Sequence, residues 1–268
     1  MANNRILYIC QQIMPYLPEN EESRLCRCLS QAMQERSNEI RTFMPRYGCV
    51  NERRNQLHEV IRLSGMNLII NDDDHQLIIK VSSIPSARIQ IYFIDNDDFF
   101  ARKAVLTNEE GKAFEDNDAR MMFYARGVLE TVKKLQWRPS VVHCHGWFSA
   151  IAPLYLRNMF KSDPTFADAK IVVSLYEEKF STPLDAAFGE KLVNEGVPAE
   201  VLSNFGEPSY ENLMRFVIDN ADGVVVGSES ADKSLIAYAR EHGKKVLDYQ
   251  SPEDADFYDN YDRFYENL

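Results

Sequence analysis

The sequence predicts an α/β fold, a doubly wound and mostly parallel sheet of the Rossmann-like kind, because short apolar runs alternate with longer amphipathic segments. The chain has 268 residues, of which 45% are hydrophobic and 26% charged, so it can bury a substantial core. Helical crossovers between consecutive strands imply parallel pairing. Seven runs are predicted strands: Ile6–Ile9, Ile40–Met44, Ile89–Ile94, Val141–His143, Ile171–Leu175, Gly223–Val226 and Val246–Leu247.

The segments between these strands carry apolar residues at helical spacing. In the first of them, Leu25 and Leu29 fall on one face, and in the second Asn117 is the predicted N-cap. Gly243 is the predicted stop of the last. The predicted helices are Glu21–Arg36, Asp118–Leu135, Trp147–Met159, Tyr210–Asn220 and Ser230–His242.

We expect one domain over residues 1–268, with a hairpin insertion near 60–82, a looser helical insertion over 181–208 and a C-terminal helical tail near 252–268. The acidic run Asn71–Asp74 is predicted to be the hairpin turn, since a calcium loop needs ligands at alternate positions and a terminal Glu. Aromatic residues recur every three or four positions in the tail, which fits either a helix docked on the domain or an exposed aromatic stripe that binds a ligand or a partner. Burial of the rings distinguishes the two.

Composition and charge exclude several classes of partner and site. The net charge of −11 argues against nucleic acid, and no run approaches the roughly 20 apolar residues that span a bilayer. Five cysteines, with no signal-peptide pattern, predict reduced thiols and a cytoplasmic location. No cofactor or metal is expected: Cys26 and Cys28 have no second ligand pair, and His143 and His145, which share a strand face, have no evident third ligand.

The loop after the first strand lacks the glycines with which a phosphate-binding loop brings its backbone close to the anion. It carries Glu19, Glu21 and Glu22 instead, which would repel a diphosphate. These acids suit the first turn of a helix, where the dipole favours negative charge, so the loop is interpreted as structural.

Five segments carry a recognisable pattern in a fixed order: Met44–Gly48, Tyr92–Asn96, Asp116–Arg120, Trp137–Trp147 and Ala152–Leu156. In order and approximate spacing, from residue 5 to about residue 240, they resemble the N-terminal lobe of bacterial ADP-glucose-dependent glycogen/starch synthases. The resemblance implies a lobe of a two-lobed GT-B glycosyltransferase that transfers glucose from ADP-glucose to the non-reducing end of an α-1,4-glucan.

The sequence departs from the family pattern at its functional positions. Gly146 stands where the family has Asp in its His-x-His-Asp-Trp segment, and Leu175-Tyr176-Glu177 fall where it has Ile-His-Asn. A second lobe, which in the family supplies an Arg/Lys pair for the diphosphate, is not expected within these 268 residues. The family's Lys-x-Gly-Gly-Leu and following Asp correspond to Pro18, Asn20, Glu21, Glu22 and Arg24.

Three functional hypotheses remain open. The chain is a glycogen/starch synthase-like protein inactive as a lone lobe, a non-catalytic glucan-binding or regulatory module, or a subunit that completes an active site with a partner chain. ADP-glucose and an α-glucan are the candidate ligands. A protein partner, or a second copy of the chain in a homodimer, is expected to cover the cleft face, the surface at the strand ends that faces the second lobe in the family. We assign no catalytic residue, and expect a concave, partly apolar pocket at the strand ends near Met14, His145 and Tyr176. The candidate ligand-contacting residues are Gln12, His145, Trp147, Tyr176 and Glu177.

Overall fold

The computed structural model describes residues 4–268, and its mostly parallel sheet with helices confirms the predicted fold class. Each predicted strand is present, and β7 runs two residues further than predicted, to His145. The strands are β1 Arg5–Cys10, β2 Glu39–Pro45, β3 His58–Glu59, β4 Met66–Ile70, β5 Asp73–Ile84, β6 Ile89–Asp95, β7 Val141–His145, β8 Lys170–Leu175, β9 Gly223–Val226 and β10 Lys245–Leu247.

The helices occupy the predicted segments with shifted ends. A short 3₁₀ turn over Trp147–Ser149 precedes α4, where one continuous helix was predicted. The helices are α1 Glu21–Glu35, α2 Asp97–Phe100, α3 Asn117–Lys134, α4 Ile151–Asn158, α5 Phe188–Asn194, α6 Tyr210–Asp219, α7 Lys233–Glu241 and α8 Phe257–Glu266.

The strand order is β10-β9-β8-β7-β1-β2-β6-β5-β3, with β4 paired to β5. The seven strands from β10 to β6 along this order, including β1 and β2, all pair in parallel. Strand β5 then pairs antiparallel with β6. The chain leaves β1 towards β2 on one side and returns through β7 on the other. The direction of winding therefore reverses between β1 and β7, and the crevice beyond their carboxyl ends is where such sheets bind ligands.

The helices form two groups in contact with the sheet. Helix α1 contacts α8, whereas α3 contacts α4, α4 contacts α6 and α6 contacts α7. Central strands are buried along nearly their whole length, as expected for parallel strands covered on both faces. The sheet is therefore a layer between two helical layers, and its strand ends are the part left for a site.

The hairpin of β4 and β5 turns at Asn71 and Asp72, which have φ of 54° and 66°. Left-handed backbone at both central positions is the geometry of the type I′ turns that join antiparallel strands, and Asn and Asp tolerate it well. Because β5 already begins at Asp73, only the first half of the acidic run is turn and the second half is strand.

The predicted cap of α3 was wrong. Asn117 is the first helical residue, and Asp116 occupies the cap without a side-chain hydrogen bond. The Asn117 side chain is buried, where it donates to Leu106 O (2.9 Å) and accepts from Arg120 Nη1 (2.6 Å). Arg120 also donates to two carbonyl groups, so these tertiary contacts outweigh the local preference for a cap.

Helix α8 lies against the domain with one aromatic face buried. Phe257, Tyr261 and Tyr265 are at most 4% exposed, which favours the docked helix over an exposed stripe. The Tyr265 hydroxyl lies 2.7 Å from His143 Nδ1 and 3.4 Å from the Tyr8 hydroxyl. Tyr265 thus forms hydrogen bonds with buried side chains of the central strands β1 and β7.

None of the helices within residues 4–268 is both long enough and apolar enough to cross a membrane. The five cysteines carry free thiols, of which Cys49 is exposed and Cys28 half-buried.

Candidate functional site

The crevice at the ends of β1 and β7 is built by two loops that bind each other. Gln11 N donates to His145 O (3.1 Å), and Gln11 Oε1 accepts from Phe148 N (3.0 Å). Gly146 has φ of 74°, the left-handed region that a glycine enters without strain, and this lets the chain turn sharply after β7. The side chains that meet here, from Gln11, Gln12, Glu22, Gly146 and Glu178, are called the strand-end cluster below.

Two carboxyl groups of this cluster share one amide donor. Gln12 Nε2 donates to Glu22 Oε2 (3.2 Å) and to Glu178 Oε2 (2.9 Å), and Gln11 Nε2 donates to Glu178 Oε1 (3.0 Å). Glu22 is 3% exposed, whereas Glu178, in the loop after β8, retains contact with solvent. The strand ends thus hold a buried carboxyl and a second one clamped by two amides, with no cation in the cluster.

Burial, and to a smaller extent the charge of Glu178, raise the pKa of Glu22 to about 8, against the lowering effect of hydrogen bonds from Gln12 and from the backbone. Burial also raises the pKa of Glu178, and the hydrogen bonds from Gln12 and Gln11 oppose the rise. Glu22 is therefore mainly protonated at neutral pH, which relieves the repulsion between two neighbouring carboxylates.

Glu22 fills the space that a side chain at position 146 would need. A Cβ atom on Gly146 would lie 2.8 Å from both carboxyl oxygens of Glu22 and 2.8 Å from Gln11 Oε1. Non-bonded distances this short are essentially never seen for a Cβ atom, so the neighbouring oxygen atoms would have to move. The Asp that the family has at this position has no room here unless Glu22 moves.

The two histidines of β7 point to the same face, with ring centroids 4.0 Å apart. His143 contacts Tyr265 and, through Nε2, Ser174 Oγ (2.7 Å); His145 Nδ1 lies 2.7 Å from the Tyr176 hydroxyl. Burial lowers the pKa of both, that of His145 to about 3, so both are neutral. Within residues 4–268 no group of three or more His, Cys, Asp or Glu side chains is placed to hold a metal ion.

The structure brings three of the five predicted contact residues to the strand ends. Gln12 lies in the strand-end cluster, and His145 and Tyr176 are joined by their hydrogen bond. All three are at most 7% exposed, so packed side chains cover this part of the crevice. Glu177 is exposed, and its side chain forms no hydrogen bond or ion pair with residues 4–268.

Trp147 lies apart from these three and borders a cavity of about 360 Å³ at the same edge of the sheet. Its indole is 4% exposed and packs edge-to-face on Phe180, with ring centroids 4.8 Å apart. Phe180 and Phe114 are half-buried in the cavity wall, which also carries Asn117 and Asp185. Aromatic surface with a few polar groups is typical of pockets for small ligands.

Sequence reasoning missed Gln11, Glu178 and Phe180 and interpreted Glu22 as a dipole-stabilising acid. Glu22 does lie in the first turn of α1, but its side chain is buried at the sheet edge, whereas that of Glu21 is exposed. The position of Gln11, directly after β1, was a usable signal. The position of Glu178 after β8 was a signal of the same kind, but its hydrogen bond with Gln12, 166 residues away, could not be derived from the sequence.

Comparison of the sequence with known proteins gives matches to starch and glycogen synthases. The family model described as starch synthase catalytic domain matches residues 5–248. The glycogen synthase of Chlorobium limicola is 31% identical over 86% of this chain and 45% of its own length; that of Chlorobium luteolum is 28% identical over 93% and 48%. This chain spans about half the length of these relatives.

A solved structure shows the same fold. The catalytic domain of starch synthase IV from Arabidopsis thaliana, bound to ADP and acarbose, superimposes with a TM-score of 0.75 at 15% identity. The match covers 93% of this chain and 52% of that chain. At this identity the likeness establishes the architecture alone.

Protonation of Glu22 makes stability depend on pH. The pKa in the folded state, about 8, lies above the roughly 4.3 of a free Glu, so the folded state keeps a proton that the unfolded state has lost. The free energy of unfolding should fall between about pH 5 and pH 8, by up to about 1.4 kcal/mol per pH unit, and level off above. Glu22→Gln should lack this fall, as measured by urea denaturation across that range.

The matched control is Glu21→Gln, which removes an exposed carboxyl one residue earlier and should keep the pH dependence of the wild type. Parallel curves for the wild type and Glu22→Gln would show that Glu22 is already ionised in the folded state.

Packing at Gly146 predicts a second measurable effect. Gly146→Ala should lower the free energy of unfolding by about 2–4 kcal/mol, because a left-handed non-glycine residue is strained and the new methyl group overlaps Glu22. Adding Glu22→Ala should recover the part due to overlap, so the two changes should couple by at least about 1 kcal/mol in a double-mutant cycle.

Gly189→Ala is the control, since Gly189 lies in α5 with ordinary backbone angles and nothing within 4 Å of its added Cβ. It should be neutral or stabilising. Additive effects of Gly146→Ala and Glu22→Ala would contradict the overlap.

Proposed function

Since this chain belongs to the starch synthase catalytic-domain family, we propose that it is a glycogen synthase-like lobe of α-1,4-glucan synthesis that does not transfer glucose from ADP-glucose by itself. The observation that carries the proposal is the filled crevice beyond β1 and β7. A cytoplasmic location belongs to the same proposal.

Transfer from a nucleotide sugar requires stabilisation of the leaving diphosphate as its charge develops. In this chain the strand-end cluster presents the carboxyl groups of Glu22 and Glu178 and no cation. The amide groups of Gln11 and Gln12, which could donate to an oxyanion, are occupied by Glu178. Loss of one such stabilising donor typically lowers a rate by about 10²–10³, and a nearby carboxylate adds repulsion.

The alternative hypothesis is that a partner chain completes the active site and supplies the cationic side chains that bind the diphosphate. The relatives are about twice as long as this chain, and in the family the second lobe carries the Arg/Lys pair. For a partner to complete this site, Glu178 would have to leave its two amide donors, and its partial exposure permits that movement. The alternative therefore predicts activity only when both chains are present.

Glucan binding without transfer is the second candidate function, favoured by the cavity beside Trp147. Phe180 is held there by Trp147 and by Tyr210, whose ring centroid is 5.6 Å away. A rigid half-buried aromatic ring offers an apolar face for a sugar ring, and the exposed polar groups of Thr182 and Asp185 in the same wall can bind its hydroxyl groups.

The transfer assay tests the first proposal. Purified chain incubated with radiolabelled ADP-glucose and glycogen should incorporate no glucose above an enzyme-free blank, while a full-length glycogen synthase assayed in parallel does so. Incorporation by this chain alone would contradict the proposal. Incorporation that requires an added second chain would support the partner alternative.

Calorimetry with maltohexaose tests the second. We expect saturable binding to the wild type, weakened by up to about tenfold in Phe180→Ala because one stacking surface is lost. Tyr238→Ala, which removes a half-buried aromatic residue of α7 outside the cavity, should bind as the wild type does. Absence of binding, or equal loss in both variants, would contradict glucan binding at this cavity.

A further inference from the structure

A cavity of about 430 Å³ lies between α1, the loop after β1 and the end of β5. It is separate from the strand-end cluster and from the cavity beside Trp147, with which it shares no lining residue. Neither the resemblance nor the functional proposal above assigns it a role.

The lining of this cavity differs in charge from the rest of the protein. Its fourteen lining residues include Arg27, Arg54 and His58 but no Asp or Glu. The chain as a whole has 41 acidic against 30 basic residues, and four further cavities each have at least one carboxyl group in their walls. A basic cavity in a protein of net charge −11 concentrates positive potential where an anion can reach it.

The two arginines have no carboxylate to neutralise them. Among residues 4–268 no Asp or Glu oxygen lies within 4.0 Å of the guanidinium of Arg27 or Arg54, although ten other arginines form such pairs. Arg27 is half-buried on α1 and is held in place by donating from Nη2 to Ser86 Oγ (3.0 Å). A fixed guanidinium with unused donors is suited to bind a planar or tetrahedral oxyanion.

Uncharged polar groups complete the wall. Ser83, Gln56 and Gln90 line the cavity, and their side chains form no hydrogen bond with residues 4–268. A hydroxyl and two amides can each donate and accept, which matches the hydroxyl groups of a sugar. The cavity therefore offers charge on one part of its surface and neutral donors and acceptors on another.

We propose that this cavity binds a small phosphorylated sugar or polyol, with Arg27 and Arg54 on the phosphoryl oxygens and Ser83, Gln56 and Gln90 on the hydroxyl groups. The proposal is independent of glucan synthesis and of the state of the strand-end cluster.

Calorimetric titration of the whole chain with ribose 5-phosphate, inorganic phosphate and ribose tests the assignment. Ribose 5-phosphate should bind with one-to-one stoichiometry, inorganic phosphate more weakly, and ribose without measurable heat. Arg27→Gln and Arg54→Gln should each weaken ribose 5-phosphate by about tenfold or more, because each removes a charge-assisted hydrogen bond.

Arg53→Gln is the matched control: Arg53 is exposed, adjacent in sequence, free of a carboxylate partner within residues 4–268 and outside the lining. It should bind as the wild type does. Arg54 is exposed in a loop, so its variant tests the site even if Arg27→Gln fails to fold. No saturable binding, equal binding of ribose, equal binding of inorganic phosphate, or equal weakening by Arg53→Gln would each overturn the proposal.

Discussion

The buried carboxyl group of Glu22 is the interaction on which the candidate site depends. Asn20 and Ser23 form a reciprocal capping box that fixes the first turn of α1, and this turn directs Glu22 at the ends of β1 and β7. Once there, it determines which residue fits at position 146, engages Gln12 and requires a proton near neutral pH. The way α1 begins therefore places the side chain that fills the crevice.

The sheet can fold with the crevice beyond β1 and β7 covered by side chains. Packing of parallel strands between two helical layers does not require an open crevice, because the core lies below the strand ends. Gln11 and Gln12 stay hydrogen-bonded without any ligand, since Glu178 accepts from both. The cluster therefore satisfies most of its own polar groups, and the exception is Glu22 Oε1, which is buried without a hydrogen-bond partner among residues 4–268.

The sequence predicted the sheet well because strand periodicity and helical spacing are local signals. It was less successful where the surroundings of a buried side chain decide its position: the Asn117 side chain binds Leu106 O and Arg120 and does not cap α3, and Glu22 is buried. Gln12, His145 and Tyr176 could be located from their positions after strands. Their enclosure could not, because it depends on Glu178 and on the docking of Tyr265, contacts made across more than a hundred residues.

The glycine after β7 also limits how this edge of the sheet can be redesigned. With Glu22 in place, any single replacement of Gly146 meets both a strained backbone and an occupied space. Replacing Glu22 by a smaller residue removes most of the overlap but leaves the backbone strain. The tolerances of positions 22 and 146 to substitution are therefore coupled, and a change at 22 has to precede a change at 146.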